Sequence, residues 1–409
     1  MRDLHHSCQG ESHIKVDKPC QDASYSKTTE EMSIAIVCDG HGGERYFRSD
    51  VGAQCAIEAT KDSVETFIKD VDENLFKDKP LTRKQAIASE AKKNFLTKDT
   101  PTDIALRQLF ASIIFNWRGK IESHSQNNPL TEEERAKVDG RYCDAFENGD
   151  GIEKTYGCTL MCYVHTPSYW FAFHIGDGKC IAFDMDGQWS EPIPWDDRCF
   201  LNKTTSLCDS GALDGFRYCY CGDGSYPMAV FLGSDGIDDS FGETENMVNF
   251  YVQMLKMLAG EGESQALEIL KESLPQLSKM GSKDDMSVAC VYDEQELPTR
   301  AKNLIDWQRK YVAEGIRKLN ERILKQQDLI SSLVSNGLNN QKAMIDYQYA
   351  NKDLMRAFAE KKTLATKWNH FSKELLGETY SPYEDEIGFG DVQEKLRRLL
   401  KEGNKDETA

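Results

Sequence analysis

The chain contains no apolar run that approaches the roughly 18 residues needed to span a bilayer. Its first segment, MRDLHHSCQGESH, is polar and has no hydrophobic stretch of the kind found in secretory signal peptides. Basic residues are fewer than acidic ones, since 50 Lys and Arg compare with 68 Asp and Glu, for a net charge of −18. Nucleic acids and anionic membranes attract basic surfaces. We therefore expect no nucleic acid and no membrane among the partners of this chain.

Cysteine spacings typical of zinc sites and redox motifs are absent as well. The thirteen cysteines are scattered, and the close pair Cys219 and Cys221 is a C-x-C rather than a C-x-x-C arrangement. No HExxH motif occurs, so the sequence argues against a zinc site. An odd number of cysteines without a secretion signal is typical of reduced thiols, and we expect a cytoplasmic protein.

The length of 409 residues exceeds one ordinary core of about 100–200 residues. We expect one large domain over residues 1–297, which carries a helical and polar insertion at about 70–155. Past Pro298 the strand signals stop, so residues 298–376 are expected to form a helical appendage. A charged tail is expected over residues 377–409.

Six apolar runs have the composition of buried strands. They are SIAIVC at 33–38, CTLMCYVH at 158–165, YWFAFHIG at 169–176, KCIAFDMDG at 179–187, MAVFLGSDG at 228–236 and MSVACVY at 286–292. Short turn signals separate the second, third and fourth runs, which favours antiparallel hairpins because parallel neighbours need a longer crossover. Helical patterns accompany them, most clearly at 101–117, where Pro101 and Asp103 suit a helix start. We predict an α+β fold in which helices cover antiparallel strands.

Heptad-like spacing of apolar residues extends from Arg300 to about Leu333 and from about Asn340 to Leu376. The turn-forming stretch SNGLNN at 335–340 interrupts it. We expect two long helices that form an antiparallel hairpin. A single unbroken coiled-coil helix is the alternative, since one glycine inside a helix costs only about 1 kcal/mol. The apolar seam is expected to be buried by packing on the preceding domain, by docking a partner or by self-association.

Carboxylates stand at the ends of several predicted strands. Asp39, Asp177 and Asp235 each follow a strand, and Asp284 leads into the last one. A single Asp-Gly pair usually marks a turn, but carboxylates gathered at one sheet edge repel each other unless hard cations such as Mg²⁺ or Mn²⁺ neutralise them. Two such ions about 4 Å apart activate water for in-line attack at phosphorus. His41 follows Asp39 by two residues, and a histidine side chain suits the acid that protonates a leaving alkoxide.

Six short motifs occur in an order and spacing typical of one enzyme family. They are QDA at 21–23, VCDGHGG at 37–43, GCTL at 157–160, GDG at 176–178, LGSDGIDD at 232–239 and GSKDDMSV at 281–288. On these motifs the chain resembles, over about residues 10–293, bacterial-type members of the protein phosphatase 2C family, which are metal-dependent Ser/Thr protein phosphatases. The resemblance implies a sandwich of two antiparallel β-sheets flanked by helices, with a binuclear Mn²⁺ or Mg²⁺ centre in a cleft at one edge. It also implies a phosphorylated protein as substrate, and a cognate Ser/Thr kinase is a candidate partner.

Carried over position by position, the resemblance implies a ligand set for two metal ions. Asp39 would bridge the two ions, and Gly40 would contribute its carbonyl oxygen. Asp235 and Asp284 would complete one of the two positions. Asp22 would hold waters bound to the metals.

The resemblance also implies that His41 is the general acid and that Asp177 and Asp239 belong to a weaker third metal position. The third-metal motif is usually G-D-S in the family and is GDG here, which keeps the carboxylate. The residue after Asp284 is often Asn in the family and is Asp285 here. We expect Asp285 to support the metal ligands rather than to bind metal itself.

One group of the family pattern is missing. Many members have a phosphate-binding Arg a few residues before the equivalent of Asp22, where this chain reads HIKVDKPCQD. Lys18, Lys15 or His13 could replace it, and Lys18 and His13 are the preferred candidates. The missing Arg, the long insertion and the helical appendage also fit an alternative, a pseudophosphatase that serves as a docking or regulatory platform. The complete set of carboxylates favours the active enzyme.

Overall fold

The structure, a computed structural model, describes four stretches of the chain: residues 1–85, 99–200, 203–338 and 340–376. The predicted tail at 377–409 and residues 86–98 of the predicted insertion lie outside them. Contacts divide the chain into two compact units, Met1–Arg300 and Ala301–Ala409. Among the described residues, no helix combines the length and the apolar character that crossing a bilayer requires.

The described part of the first unit contains eleven strands. They are β1 Arg2–Cys8, β2 Ala23–Thr28, β3 Ser33–Cys38, β4 Thr82–Lys84, β5 Leu160–His165, β6 Trp170–Ile175, β7 Lys179–Phe183, β8 Trp189–Ser190, β9 Arg217–Cys221, β10 Ala229–Gly233 and β11 Met286–Tyr292. One sheet has five strands in the order β1-β11-β10-β7-β8, and the other has six in the order β2-β3-β5-β6-β9-β4. Every pair of neighbours is antiparallel. The predicted α+β class with two antiparallel sheets is confirmed.

Strand β3 explains why several of the predicted runs are apolar at every position. Successive side chains of a strand point to opposite faces of the sheet. Ala35 and Val37 join an apolar cluster with residues of the five-stranded sheet. Ile34, Ile36 and Cys38 join a second cluster, which includes the helices that cover the six-stranded sheet. Both faces of β3 are therefore buried, and the strand is held firmly up to the loop that follows it.

Twelve α-helices accompany the strands in the described residues. They are α1 Glu11–Lys15, α2 Ser49–Asp70, α3 Pro101–Asn127, α4 Glu132–Lys137, α5 Gly140–Glu147, α6 Ile152–Thr155, α7 Ala212–Gly215, α8 Asp235–Phe241, α9 Thr244–Gly260, α10 Glu263–Met280, α11 Glu296–Ser335 and α12 Gln341–Leu376. In α3, Trp117 donates a hydrogen bond to the carbonyl of Gly52 in α2 at 3.0 Å. On the other sheet, Tyr251 of α9 stacks on Phe231 of β10 with ring centroids 4.4 Å apart. Helices thus flank both sheets.

The predicted helix at 101–117 is α3, and its first turn differs in detail from the prediction. Thr100 is the N-cap, and its hydroxyl accepts the backbone N–H of Asp103 at 3.2 Å. Asp103 in turn accepts the backbone N–H of Thr100 at 2.8 Å, which completes a capping box. The same carboxylate pairs with Lys84 at 3.1 Å and accepts the hydroxyl of Tyr218 at 3.0 Å. Asp103 therefore stabilises the helix from its third position and ties it to the six-stranded sheet.

The predicted insertion at 70–155 contributes helices α3 to α6 and one short strand. Strand β4 pairs with β9 at the edge of the six-stranded sheet. The sequence did not predict this strand, because Thr82, Arg83 and Lys84 have no alternating apolar pattern. The insertion is therefore partly integrated into the fold.

The described part of the second unit consists of helices α11, which begins shortly before the unit boundary, and α12. The predicted turn at 335–340 separates them, since α11 ends at Ser335 and α12 begins at Gln341. Near this turn, one apolar cluster joins the helices through Ile323, Ile330, Ala350, Leu354, Ala357 and Phe358. Farther from it, Val312 and Ile316 pack on Trp368. Because the early part of α11 contacts the late part of α12, the helices form an antiparallel hairpin and not one unbroken helix.

Candidate metal centre

The loop after β3 brings Asp39 to one edge of the sandwich. The backbone of Asp39 is bonded twice to Thr159, whose hydroxyl accepts its N–H at 3.0 Å and whose N–H donates to its carbonyl at 2.8 Å. A side chain at Gly40 would lie 2.5 Å from the carbonyl oxygen of Gln21 and 2.8 Å from that of Ser49. Only glycine fits this approach, so the Asp39 loop is fixed by its neighbours on two sides.

Asp285 joins the N-terminal segment to the loop between α10 and β11. Its carboxylate accepts the backbone N–H groups of Gly10 and Gln21, each at 2.6 Å, and lies 2.9 Å from Nδ1 of His13. Burial raises the pKa of Asp285, but the hydrogen bonds from His13, Gln21 and Gly10 outweigh it and hold the pKa below its ordinary value. Gln21 precedes Asp22, so Asp285 positions that residue. The supporting role expected for Asp285 stays a prediction.

Asp235 and Asp284 lie on neighbouring segments. Asp235 is the first residue of α8, and its charge raises the pKa of the Asp39 carboxyl group. A side chain at Gly236 would lie 2.1 Å from the backbone oxygen of Asp285, so the start of α8 is packed directly on the loop that carries Asp284. The structure therefore brings together carboxylates that lie about 200 residues apart in the sequence.

Burial and neighbouring negative charges raise the pKa values of Asp39, Asp22 and Asp235. The pKa of Asp39 is well above its ordinary value, first through burial and then through the charges of Asp235, Asp22 and Asp177. Burial, followed by the charge of Asp285, does the same to the pKa of Asp22. Burial also raises the pKa of Asp235 to about 7. Such a group of carboxylates is costly unless positive charge or shared protons compensate it.

A divalent cation fits this site on two observations of the structure. Oδ2 of Asp22 is buried without a hydrogen-bond partner among the described residues. The donor set consists of oxygen atoms, which hard cations such as Mg²⁺ and Mn²⁺ prefer. Asp22 is 6% exposed, whereas Asp284 is an exposed residue. The group therefore extends from the interior to solvent, as an accessible metal site must.

Asp177 and Asp239, predicted for a weaker third position, lie next to the same group. Burial is the main cause that raises the pKa values of both residues. The charge of Asp239 also raises the pKa of Asp177, and the charges of both residues raise the pKa of Asp235. Gly176, which precedes Asp177, has φ of +138°. Its N–H donates to Thr205 at 3.0 Å, and its carbonyl accepts Nη2 of the buried Arg217 at 2.8 Å. Sequence reasoning did not identify these two supports.

His41 occupies a pocket beside the Asp39 loop. Its Nε2 lies 2.7 Å from the hydroxyl of Ser206, which donates to the carbonyl of Cys158 at 3.0 Å. The contact with Ser206 fixes the orientation of the imidazole ring. Burial lowers the pKa of His41 to about 4, so the imidazole is neutral at pH 7 in this environment.

The three cations considered for phosphate binding have different environments. Nζ of Lys18 donates to the carbonyl of Gly42 at 2.9 Å, in the loop that contains His41. His13 is engaged by Asp285. Lys15 is 62% exposed and pairs with Glu11 within α1 at 3.3 Å. Of the three, Lys18 has a direct contact with the predicted catalytic loop.

Comparison with known proteins gives one family match. A family model described as protein phosphatase 2C matches residues 9–274. No curated protein matches the chain. Among solved structures, a bacterial serine phosphatase is 15% identical, with 72% of this chain and 99% of that chain covered and a TM-score of 0.39. The catalytic domain of the serine threonine protein phosphatase PstP in complex with two manganese ions is 15% identical, with 71% and 98% covered and a TM-score of 0.39.

A third structure, PppA from Pseudomonas aeruginosa, is 15% identical, with 71% of this chain and 96% of that chain covered and a TM-score of 0.41. At this identity and this TM-score, the solved structures add nothing to the assignment. The family model is different, since its match covers well over half of the chain and includes the motifs around Asp22, Asp39 and Asp235. The chain therefore belongs to the protein phosphatase 2C family and is a serine/threonine protein phosphatase.

Proposed function

We propose that this chain hydrolyses phosphoserine and phosphothreonine in proteins at a binuclear Mn²⁺ or Mg²⁺ centre located in the domain at 1–297. The observation that supports the centre is the buried Oδ2 of Asp22, which has no hydrogen-bond partner among the described residues, beside the carboxyl groups of Asp39 and Asp235, whose pKa values are raised. When bound, the ions would activate water as the nucleophile and stabilise charge on the phosphoryl group.

Four residues would hold the two ions. Asp39 would bridge them, Gly40 would contribute its carbonyl, and Asp235 and Asp284 would complete one position. Asp22, buried and fixed through Gln21, would orient water at the centre. Asp177 and Asp239 would form a weaker third position, and the hydrogen bonds to Gly176 would keep Asp177 in place.

Lys18 would bind the phosphate of the substrate in place of the missing Arg. Its ammonium group already lies at the Gly42 carbonyl, and a side chain added at Gly42 would meet nothing within 4 Å. The loop therefore has open space on the side where a phosphorylated residue would approach. His13, the second candidate, would contribute less because Asp285 holds its ring.

His41 would protonate the oxygen of the leaving serine or threonine. Its ring orientation is fixed by Ser206, which is what a positioned proton donor requires. Burial disfavours its charged form, with a pKa of about 4. The negative charge of a bound phosphate would favour that form. Substrate binding would therefore protonate His41, which is the form that can act as the general acid.

The experiment is a titration of the full chain with Mn²⁺ by calorimetry, followed by assays on p-nitrophenyl phosphate and on a phosphoserine peptide. We expect binding in the micromolar to millimolar range and metal-dependent hydrolysis of both substrates. Asp39→Asn and Asp235→Asn are expected to lose both, while Asp186→Asn, an exposed residue between β7 and β8, is the matched control. Full activity in the first two variants would contradict the metal centre. Absence of Mn²⁺ binding would favour the pseudophosphatase platform.

We propose a cytoplasmic protein that acts opposite a cognate Ser/Thr kinase, with the helices at 298–376 serving self-association or partner docking. Apolar side chains are exposed on both helices, among them Leu324 at 52% and Tyr349 at 71%. Sedimentation velocity of the full chain and of a Leu324→Glu/Tyr349→Glu variant tests self-association, since a dimer formed through this surface would dissociate in the variant.

A further inference from the structure

A cleft of about 590 Å³ lies next to the predicted catalytic loop. Lys18, Gly42 and Gly43 form one end of it, and α4 of the insertion forms the opposite wall through Glu134 and neighbouring residues. The cleft therefore begins at the groups proposed to bind phosphate and extends to an element that belongs to the insertion. A peptide that presents its phosphorylated residue at the loop would have a neighbouring residue within reach of this cleft, because an extended chain advances by roughly 3.3–3.6 Å per residue.

The wall formed by α4 is firmly attached to the core. Arg48, which is 5% exposed, donates from Nε and Nη2 to the two carboxylate oxygens of Glu134 at 2.7 and 2.9 Å. Its Nη1 donates to the carbonyl of Asn128 at 2.7 Å. Glu134 also accepts the backbone N–H of Thr131 at 2.8 Å, in a capping box at the start of α4. A bidentate, largely buried ion pair of this kind gives a rigid wall rather than a loose surface helix.

The lining of the cleft combines apolar and acidic groups. Phe47 and Val138 supply half-buried apolar surface. Glu44 and Asp50 supply carboxylates, and neither forms a salt bridge within the described residues. The one lining cation on α4, Lys137, is paired with Glu133 at 2.8 Å. At the loop end of the cleft, Asp17 and Lys18 carry opposite charges. The remaining charge on the walls, from Glu44 and Asp50, is therefore negative.

We propose that this cleft is a substrate subsite for an arginine or lysine side chain that flanks the phosphorylated residue, a role that rests on the proposed phosphatase function. The aliphatic stem of such a side chain packs on Phe47 and Val138, and its cationic group is bound by Glu44 and Asp50. An acidic side chain at the same position is repelled. The inserted helix α4 thus contributes sequence preference to the enzyme.

The test uses the full chain loaded with Mn²⁺ and a set of phosphoserine peptides. Each flanking position from −3 to +3 carries Arg, Ala or Glu in turn. At one position, we expect kcat/KM to be at least about tenfold higher for Arg than for Ala, which corresponds to about 1.4 kcal/mol, and lower for Glu. This Arg-to-Ala ratio is expected to decrease at high salt, because exposed charges are screened.

Substitutions in the cleft test whether the preference for the Arg peptide arises there. In Glu44→Gln/Asp50→Asn the Arg-to-Ala ratio is expected to fall below about threefold, and Glu44→Lys is expected to favour the Glu peptide. Glu132→Gln, which removes an exposed charge of α4 that does not line the cleft, is the matched control and keeps the preference. Thermal unfolding of each variant verifies that it is folded. Equal rates for Arg and Ala peptides in the unmodified protein, or an undiminished ratio in the double variant, would overturn the proposal.

A binding measurement separates this inference from the proposed function. The same peptides, labelled with a fluorophore, are titrated in EDTA, where turnover is not required. At least tenfold tighter binding of the Arg peptide, lost in Glu44→Gln/Asp50→Asn, supports the subsite even if the enzyme hydrolyses nothing. Equal affinities reject the subsite even if p-nitrophenyl phosphate is hydrolysed in the presence of Mn²⁺.

Discussion

The carboxylate of Asp285 accepts the backbone N–H of Gln21 at 2.6 Å, although the two residues are 264 positions apart. Because Gln21 precedes Asp22, this bond places one proposed metal-site carboxylate relative to the loop that carries another, Asp284. The same carboxylate holds Gly10. The metal centre therefore depends on a residue that need not touch a metal ion.

Replacing Asp285 should weaken both the fold and the metal site. In Asp285→Ala two backbone N–H groups lose their acceptor, and we expect the free energy of unfolding to fall by about 2–4 kcal/mol and Mn²⁺ affinity to fall at least tenfold. Asp285→Asn keeps one acceptor oxygen, so its free energy of unfolding and its Mn²⁺ affinity should fall less. Urea denaturation in EDTA and calorimetry with Mn²⁺ measure the two effects. A variant with normal stability and weaker metal binding would assign Asp285 to the metal itself.

Repulsion among the carboxylates of the proposed metal site should destabilise the metal-free protein. Asp39→Asn and Asp235→Asn each remove one of the repelling groups, so in EDTA we expect their melting temperatures to equal or exceed that of the unmodified protein. Mn²⁺ at 100 times its Kd should stabilise the unmodified protein by about 2.7 kcal/mol and should not stabilise the variants. Differential scanning calorimetry with and without Mn²⁺ measures both. A clear loss of stability of both variants in EDTA would mean that the carboxylates do not destabilise the metal-free protein.

The proposed role of His41 as general acid predicts a dependence on the leaving group. The serine alkoxide is a poor leaving group and needs a proton in order to depart, whereas nitrophenolate departs readily without one. His41→Asn should therefore lower kcat by about 10²-fold or more on a phosphoserine peptide and much less on p-nitrophenyl phosphate. Steady-state kinetics on the two substrates make the comparison. Equal losses on both would indicate that His41 acts in binding or in the structure of the loop.

Lys18 is expected to act on substrate binding through its charge. Lys18→Met should lower kcat/KM for p-nitrophenyl phosphate by about 10- to 100-fold, the effect of losing one charge-assisted hydrogen bond to phosphate, and Lys18→Arg should restore most of it. Lys15→Met is the matched control, because Lys15 is exposed and paired within α1. Inhibition by inorganic phosphate should weaken in parallel with kcat/KM. Unchanged kinetics in Lys18→Met would assign phosphate binding to another group.

Asp103 gives a prediction for the pH dependence of stability. Burial raises its pKa, but hydrogen bonds from Thr100, Lys84 and Tyr218 outweigh it and hold the pKa below the ordinary 3.8. Since the folded state binds this proton less readily than the unfolded state, the stabilisation is present above pH 4 and is lost as the pH falls below it. Asp103→Asn should cost about 1–3 kcal/mol at pH 7, and the difference should shrink at pH 3.5. Urea denaturation at the two pH values tests this, with the exposed Asp144→Asn as control, and a constant difference would contradict it.

Local signals in the sequence were enough for six of the eleven described strands, β3, β5, β6, β7, β10 and β11, and for the acidic residues at their ends. Strand β3 was predicted with its observed bounds, and Asp39 follows it, because an apolar run that stops at Asp-Gly is a signal contained in a few residues. Strands β1 and β4 have no such signal. Their residues are polar and partly exposed, and they are strands because β11 and β9 offer partners at the sheet edges.

Support residues could not be predicted in the same way. Ser206 lies 165 positions after His41 and Arg217 lies 41 after Gly176, and no pattern in the sequence connects either pair. The low pKa of His41 is also a property of its surroundings, since it results from burial by segments that are distant in the chain. The residue types at the site could be inferred from the sequence. Their hydrogen-bond partners and pKa shifts could be read only from the fold, because distant segments cause them.

The pairing of β1 with β11 has a consequence for synthesis of the protein on the ribosome. Register runs from Arg2 opposite Tyr292 to Cys8 opposite Met286, so the first strand has no neighbour in its sheet until the last strand of the same unit has been made. Domains form during translation only as their partners emerge. A nascent chain that stops before residue 284 has neither Asp284 nor Asp285, which lie directly before β11, and is expected to bind no metal and to hydrolyse nothing. The enzyme is thereby kept inactive until almost the whole first unit has left the ribosome.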